Sequence, residues 1–205
     1  MINTIVFDFG DVFINKDNEA RDNALKKLGL KEWTEELNQL EKKFETGRVK
    51  EDAFIRGIKA YIPNADPIAI REAWNAGIGD FPLHRLEFLQ KLSANYRLFL
   101  LSNTDPIHIE KFEHDAGASF YMDFYQCFER VYFSHEIGVR KPESEAYTYI
   151  INNHDIQPKR TLLIDDKKFN TDAAELLGFK VWTINPEMED VTELFNKKII
   201  SLEEV

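Results

Sequence analysis

Cysteine is almost absent. Cys127 is the only one in 205 residues, which excludes an intrachain disulfide and leaves the fold to be held by its core. A single thiol of this kind reads as a small core hydrophobe. Long apolar runs are also missing, and no stretch reaches the roughly eighteen uninterrupted apolar residues of a membrane span. Basic charge is in deficit, with 26 Lys and Arg against 36 Asp and Glu and a net charge of −10. That balance argues against nucleic acid as a partner, which asks for a basic face. It leaves room for an anionic small molecule, because a few local cations and a metal ion reverse the field inside a cleft. His84, His108, His114, His135 and His154 are scattered, with no pair at zinc-ligand spacing. Met1-Ile2-Asn3-Thr4 carries no secretory pattern, so a reduced, cytoplasmic setting is expected.

What is present is apolar mass in short pieces. Sixteen Phe and three Trp accompany a hydrophobic content of 43%, ordinary for a globular chain long enough to bury a sizeable core. Strand-like runs recur at Ile5–Phe7, Arg97–Leu101, Val131–Phe133, Leu162–Ile164 and Val181–Ile184. They are rich in Val, Ile, Leu and Phe without clean alternation, as in strands covered on both faces. Helical stretches at Leu83–Leu92, Pro106–His114, Pro142–Asn153 and Lys168–Leu177 separate the later runs. Pro106 and Pro142 suit first-turn positions, and Gly178 suits the residue past a helix end. The alternation predicts an α/β fold, a parallel Rossmann-like sheet with helices on both faces.

Residues 16–81 differ. Ala20–Leu28, closed by Gly29, then Thr34–Phe44, Lys50–Tyr61 and Pro67–Ala76 have helical patterning and no strand. The expectation is a helical cap over 16–81, inserted after strand one, above a catalytic core of 1–15 and 82–205. A block there overlies the carboxyl edge of the sheet, where ligands bind.

Four features fall at that edge or at helix starts: Asp8 after the first run, Ser102-Asn103-Thr104 after the second, Arg140-Lys141-Pro142 at a helix entrance, and Asp165-Asp166 with Asn170 four residues on. Each alone reads as a cap, a turn or a surface cation. Together they supply an anionic nucleophile, small hydrogen-bond donors, a cation and a metal-binding carboxylate, the set that phosphoryl transfer to an aspartate requires. Mg2+ would neutralise the repulsion between carboxylate and dianionic phosphate. Lys141 would act as a point charge on both groups, and Ser102 and Asn103 would hold phosphate oxygens.

In this order the residues resemble the haloacid dehalogenase superfamily, and are similar to its branch of glucose-1-phosphatase-like sugar phosphatases. Asp8-Phe9-Gly10-Asp11-Val12, Leu101-Ser102-Asn103-Thr104, Arg140-Lys141-Pro142 and Ile164-Asp165-Asp166 with Asn170 resemble its four motifs, and Phe44-Glu45-Thr46-Gly47-Arg48 before Phe54 resembles the branch's cap. The resemblance implies Asp8 as nucleophile and metal ligand, with the Gly10 carbonyl and Asp166 as further ligands of Mg2+. It implies Ser102, Asn103 and Lys141 as phosphate-binding residues supported by Asp165 and Asn170, and a small phosphorylated metabolite as substrate. It also implies strand one at the sheet centre, between the strands carrying the second and fourth motifs.

The chain departs from the family pattern at Gly10, where most phosphatases of the superfamily carry a second aspartate as acid and base. Asp11 is one residue too late, and on a regular extended chain it would point elsewhere. Losing a positioned acid/base costs about 10^2–10^4 in rate, which would favour substrates with good leaving groups. Two other readings stay open. One is a metal-independent 2-haloacid dehalogenase, against which the pair Asp165-Asp166 weighs. The other is a catalytically silent phosphate-binding regulatory protein. Specificity is expected in the cap and in the loop Phe13–Asn18.

Overall fold

Each of the five apolar runs forms a strand: β1 (Thr4–Phe7), β2 (Arg97–Ser102), β3 (Arg130–Phe133), β4 (Thr161–Asp165) and β5 (Lys180–Thr183). They make one parallel sheet in the order β3-β2-β1-β4-β5. The computed structural model describes residues 1–197 and Ile199, so the remaining residues of the expected core segment 82–205 lie outside the described residues. Strand one is central, between β2 and β4, as the resemblance implies. Its register sets Phe7 beside Leu100 on one side and Ile164 on the other, which levels the carboxyl ends of the three motif-bearing strands.

The strands lack alternation because both faces are covered. Ile5, Phe7, Leu98, Leu100, Leu162 and Ile164 point into one apolar cluster, while Val6, Phe99, Leu101 and Leu163 point into another. Between β1 and β2 run α1 (Asn18–Lys27), α2 (Glu35–Phe44), α3 (Glu51–Lys59), α4 (Pro67–Asn75) and α5 (Leu83–Ser93). Then α6 (Pro106–Ala116) and α7 (Ala118–Gln126) precede β3, α8 (Ser134–Ile137) and α9 (Ser144–His154) precede β4, and α10 (Lys168–Leu176) precedes β5. Helices α5, α6 and α7 contribute Leu86, Leu89, Phe112 and Phe124 to the first cluster, and α9 and α10 contribute Tyr147, Ile150 and Ala174 to the second. Among the described residues no helix is long and apolar enough to cross a membrane.

Helix starts follow their capping chemistry. The carboxylates of Asp17, Asp66 and Asp105 and the hydroxyl of Thr34 accept N–H groups at the starts of α1, α4, α6 and α2. Pro67 and Pro106 stand in first turns. Pro142 does not: the helix expected from it begins at Ser144, because the preceding Lys141 peptide is held by hydrogen bonds to Asn103. Ser102 closes β2 rather than opening the following loop.

Helices α1–α4 pack around a cluster of their own, with Leu25, Leu37, Phe44, Phe54, Ile58 and Trp74, joined by Ile107 from α6. Phe44 and Phe54 stack at 4.2 Å between ring centroids. The chain enters and leaves this block through two hydrogen-bonded antiparallel segments. Asn15 N–H donates to Asp80 O (2.9 Å), Gly79 N–H to Asn15 O (2.8 Å) and Asp17 N–H to Gly77 O (2.9 Å). Gly47, at φ +68°, brings the block against α8, where a Cβ would lie 2.3 Å from the His135 carbonyl oxygen. Only glycine combines that conformation with that approach.

Phe124 joins α7, which the sequence reading did not anticipate, to the loop after β1. Its ring centroid lies 5.5 Å from Phe9, 5.3 Å from Phe13, 5.0 Å from Phe81 and 5.0 Å from Phe128. Truncating it removes the packing under the loop that follows Asp8. Phe124→Ala is expected to lower unfolding free energy by about 3–5 kcal/mol, read as a lower urea midpoint with an unchanged m-value.

Candidate active site

The level strand ends gather the four sequence features at one edge. Asp8 directly follows β1, and its N–H donates to Ile164 O at 2.9 Å, carrying the sheet register one residue past the strand. Asp165 ends β4, with Asp166 next in the chain. Lys141 reaches this edge from the loop before α9, a loop fastened to the end of β2 by one side chain. Asn103 Nδ2 donates to Lys141 O at 2.7 Å, and Lys141 N–H donates to Asn103 Oδ1 at 2.9 Å.

So fastened, the Lys141 ammonium lies 2.5 Å from Asp165 Oδ2 and 3.0 Å from Asp8 Oδ1, with no exposed surface. Asp165, also fully buried, accepts N–H bonds from Lys167 (2.8 Å) and from Asn170 Nδ2 (3.0 Å to each carboxylate oxygen). Burial opposes the charge of Lys141, yet Asp165 and Asp8 hold its ammonium well above the usual lysine range. Burial, only partly offset by Lys141 and reinforced by Asp165 and Asp166, pushes the Asp8 carboxyl up to about 6. Burial also raises Asp166, although the Lys167 ammonium lies 2.5 Å from its Oδ2.

Carboxylate oxygens of Asp8, Asp165 and Asp166 come within 4.8 Å of one another. Three crowded carboxylates, of which burial pushes Asp8 and Asp166 toward their protonated forms, make a site of surplus negative charge, and hard oxygen donors suit a hard divalent cation. Asn170 Oδ1, lining the same cavity, is buried and takes no hydrogen bond from the described residues, which leaves an unused acceptor beside the carboxylates. The donor set fits Mg2+. Asp165, saturated by Lys141, Asn170 and Lys167, acts as a brace, while Asp8 and Asp166 face the cavity.

The cleft between sheet edge and helical block has two chambers. The larger, about 130 Å3, is lined by Asp8, Gly10, Asp166 and Asn170 together with Lys16 and Arg140. The smaller, about 40 Å3, is lined by Ser102, Arg21, Glu41, Trp74 and His108 among others. Lys141 and Asp165 lie beneath the larger chamber. Asp11 does not lie on an extended chain: it is left-handed, at φ +58°, and its carboxylate accepts the Lys16 N–H at 2.9 Å. The turn forms because Phe13 and Ile14 return their N–H groups to Phe9 O.

Several lining residues have no role assigned from sequence, although Glu45 falls within the cap motif Phe44-Glu45-Thr46-Gly47-Arg48. Glu45, at the end of α2, pairs with Arg140 at 2.9 Å, and burial pushes its carboxyl up to about 7 against that pairing. Burial raises Glu41 as well. Trp74 stacks between Trp33 (5.5 Å) and His108 (5.1 Å), donates its indole N–H to Asp105 Oδ2 at 3.1 Å, and lies under the Arg21 guanidinium at 5.3 Å. His108 turns its ring nitrogens to Trp74 O (3.1 Å) and Asp105 Oδ2 (3.0 Å). Despite burial, His108, the N–H groups of the helix start and Trp74 hold the Asp105 carboxyl below the usual range. In the sequence these residues sit singly on amphipathic helices, where an aromatic or a charge has no distinguishing signal.

Comparison with known proteins agrees with this fold. The family model for haloacid dehalogenase-like hydrolases matches residues 2–178. The chain is 27% identical over 193 residues to D-ribitol-5-phosphate phosphatase of Bacteroides thetaiotaomicron, covering 91% of this chain and 93% of that protein. A haloacid dehalogenase family enzyme of the same organism, solved with magnesium and inorganic phosphate, superposes with a TM-score of 0.85 at 32% identity, over 95% of this chain and 100% of that one. A haloacid dehalogenase-like hydrolase structure from Porphyromonas gingivalis gives a TM-score of 0.84 at 26% identity, over 98% and 100% of the two chains.

The buried charge cluster makes a direct stability prediction. Lys141→Met leaves Asp8 and Asp165 facing each other without a cation, and is expected to cost about 3–5 kcal/mol in urea unfolding at pH 7. Adding Asp165→Asn should recover part of that loss, giving a non-additive double-mutant cycle.

Proposed function

Because this chain belongs to the haloacid dehalogenase-like hydrolases, with the family match running over residues 2–178, we propose that it hydrolyses a small phosphate ester by nucleophilic attack of Asp8. The observation that carries the reading is the Asp8 carboxylate, fixed at 3.0 Å from the buried Lys141 ammonium and facing a cleft that Asp166 shares. Asp8 attacks phosphorus to form an aspartyl phosphate, and water then cleaves that acyl phosphate to return the carboxylate. Lys141 balances the charge of the nucleophile and of the transferring group from below. The Ser102 hydroxyl, and the Asn103 Nδ2 hydrogen left over from the bond to Lys141, serve the phosphate oxygens. Asp8, the Gly10 carbonyl and Asp166 would hold Mg2+, which when bound neutralises the phosphate dianion as it meets the carboxylate. Asp165 and Asn170 keep Lys141 and the β4 edge in position.

Residues 16–81 act in this reading as a cap over the core formed by 1–15 and 82–205. The cleft's chambers, about 130 and 40 Å3, suit a leaving group of a few carbons. The smaller chamber's lining of Lys16, Arg21, Glu41 and Glu45 balances two cations against two acids, which suits a hydroxylated and uncharged leaving group. Similarity to a D-ribitol-5-phosphate phosphatase supports a polyol or sugar phosphate. The three clustered carboxylates favour metal-dependent phosphoryl transfer over the metal-free attack of a 2-haloacid dehalogenase on carbon.

Phosphate release from polyol phosphates, sugar phosphates, acetyl phosphate and p-nitrophenyl phosphate, assayed with Mg2+, tests the reading. Activity is expected to disappear with EDTA, return with added Mg2+, and fall at least about 10^3-fold in Asp8→Asn. Turnover that survives both EDTA and Asp8→Asn would sink it.

A further inference from the structure

The larger chamber holds Asp8 and the smaller is lined by Ser102, so in the reading above the phosphoryl group sits against Asp8 at the boundary of the two and the rest of the ester extends into the smaller chamber. The ester bond that breaks then lies where the chambers meet. Four residues line both: Gly10, Lys16, Glu45 and Asn103. Gly10 has no side chain to offer. The Asn103 amide is bonded in both directions to the Lys141 peptide, and the Glu45 carboxylate is paired with Arg140 at 2.9 Å. Lys16 alone of the four presents a cation, and among the described residues no carboxylate lies within ion-pair distance of its ammonium.

Its placement follows from the turn after β1. The Lys16 N–H is held by Asp11 Oδ1 at 2.9 Å, and the residue bridges to Ile78 on the returning segment. From there its stem crosses the open face of Gly10. A Cβ on Gly10 would lie 2.7 Å from Lys16 Cδ, 3.5 Å from Cγ and 3.7 Å from Cε. The missing side chain at residue 10 is the space the lysine stem occupies. The side chain keeps exposed surface and is held by no close ion pair, although its charge acts on the nearby carboxylates of Glu41 and Glu45.

We propose that Lys16 is the catalytic residue that stabilises the departing oxygen of the substrate. This rests on the reading of Asp8 as phosphoryl acceptor. As an Asp8 oxygen bonds to phosphorus, the ester P–O bond breaks and its electron pair goes to the leaving oxygen. Lys16 donates a hydrogen bond to that oxygen and keeps its own protons. The alkoxide takes a proton from water, and the hydroxide so formed is matched by the proton released when a second water hydrolyses the aspartyl phosphate. A preorganised donor aimed at developing charge accelerates such a step by about 10^2–10^3. The need grows with the basicity of the leaving group: an alkyl alkoxide depends on the donor far more than a nitrophenolate.

The test compares wild type, Lys16→Met, Lys16→Arg and Glu45→Gln on a polyol phosphate and on p-nitrophenyl phosphate, with Mg2+ present. Lys16→Met is expected to lower the ratio of kcat/KM for the alkyl ester over the aryl ester about 100-fold and to steepen the dependence on leaving-group pKa across a series of aryl phosphates. Lys16→Arg, which keeps the cation, should restore most of the ratio. If Lys16→Met lowers both substrates by one factor, or if Glu45→Gln moves the ratio and Lys16→Met does not, the assignment of Lys16 is overturned while Asp8 stands. Wild-type enzyme that cleaves neither ester overturns the Asp8 reading and this inference together.

Discussion

A lysine ammonium with no exposed surface, clamped between two carboxylates, is the constraint around which this protein is arranged. Removing three charges from water is costly unless each finds its partners. Lys141 meets Asp8 and Asp165 at 3.0 and 2.5 Å, and Asp165 is completed by Asn170 and the Lys167 N–H. The requirement propagates outward. Asn103 must fasten the Lys141 peptide, β1 must sit between β2 and β4, and the strand ends must be level so that side chains from separate parts of the chain meet. The cluster to which the proposed chemistry is assigned also locks the sheet edge together, so candidate site and fold share one set of interactions.

Above this rigid base lies a seam of a different character. The base is buried, with one lysine held between two carboxylates. The seam carries Lys16, Arg21, Glu41 and Glu45 around small chambers, and burial shifts both acids upward. Contacts across it include Arg140 to Glu45, Arg71 to Glu110, Gly47 against the His135 carbonyl, Trp74 to Asp105 and His108, and Ile107 in the cluster of the helical block. This division matches the division of labour proposed for the two parts. On that proposal the sheet edge performs phosphoryl transfer, and the helical block discriminates among leaving groups.

The sheet edge was legible in the sequence because its signals are local and of high contrast. An apolar run ending in an acid, as at Phe7-Asp8 or Ile164-Asp165, marks both a strand and its exit, and parallel topology brings such exits to one place. The short helix α7 was missed although Phe124 is central to the core, since its aromatics sit between two turns without a long period. The seam was not legible for another reason. Glu45 and Arg140 lie far apart in the chain, and nothing in either neighbourhood announces the other. Lys16 fell within the loop marked for specificity, but its relation to Gly10 depends on a left-handed turn at Asp11 that composition does not encode. The glycine read from sequence as a missing group is, in three dimensions, the room taken by a neighbouring side chain.

The stack of Trp33, Trp74 and His108 has an optical consequence. Of the chain's three tryptophans, two stand in this stack, and the third, Trp182, lies on the edge strand β5. Any opening of the seam between helical block and sheet strips the indole of Trp74 of its Asp105 hydrogen bond and its imidazole neighbour, while the surroundings of Trp182 stay as they are. Native emission thus carries two signals, one tied to the seam and one to the sheet. The molecule reports the separation of its two parts without an added label, on whatever timescale that separation occurs.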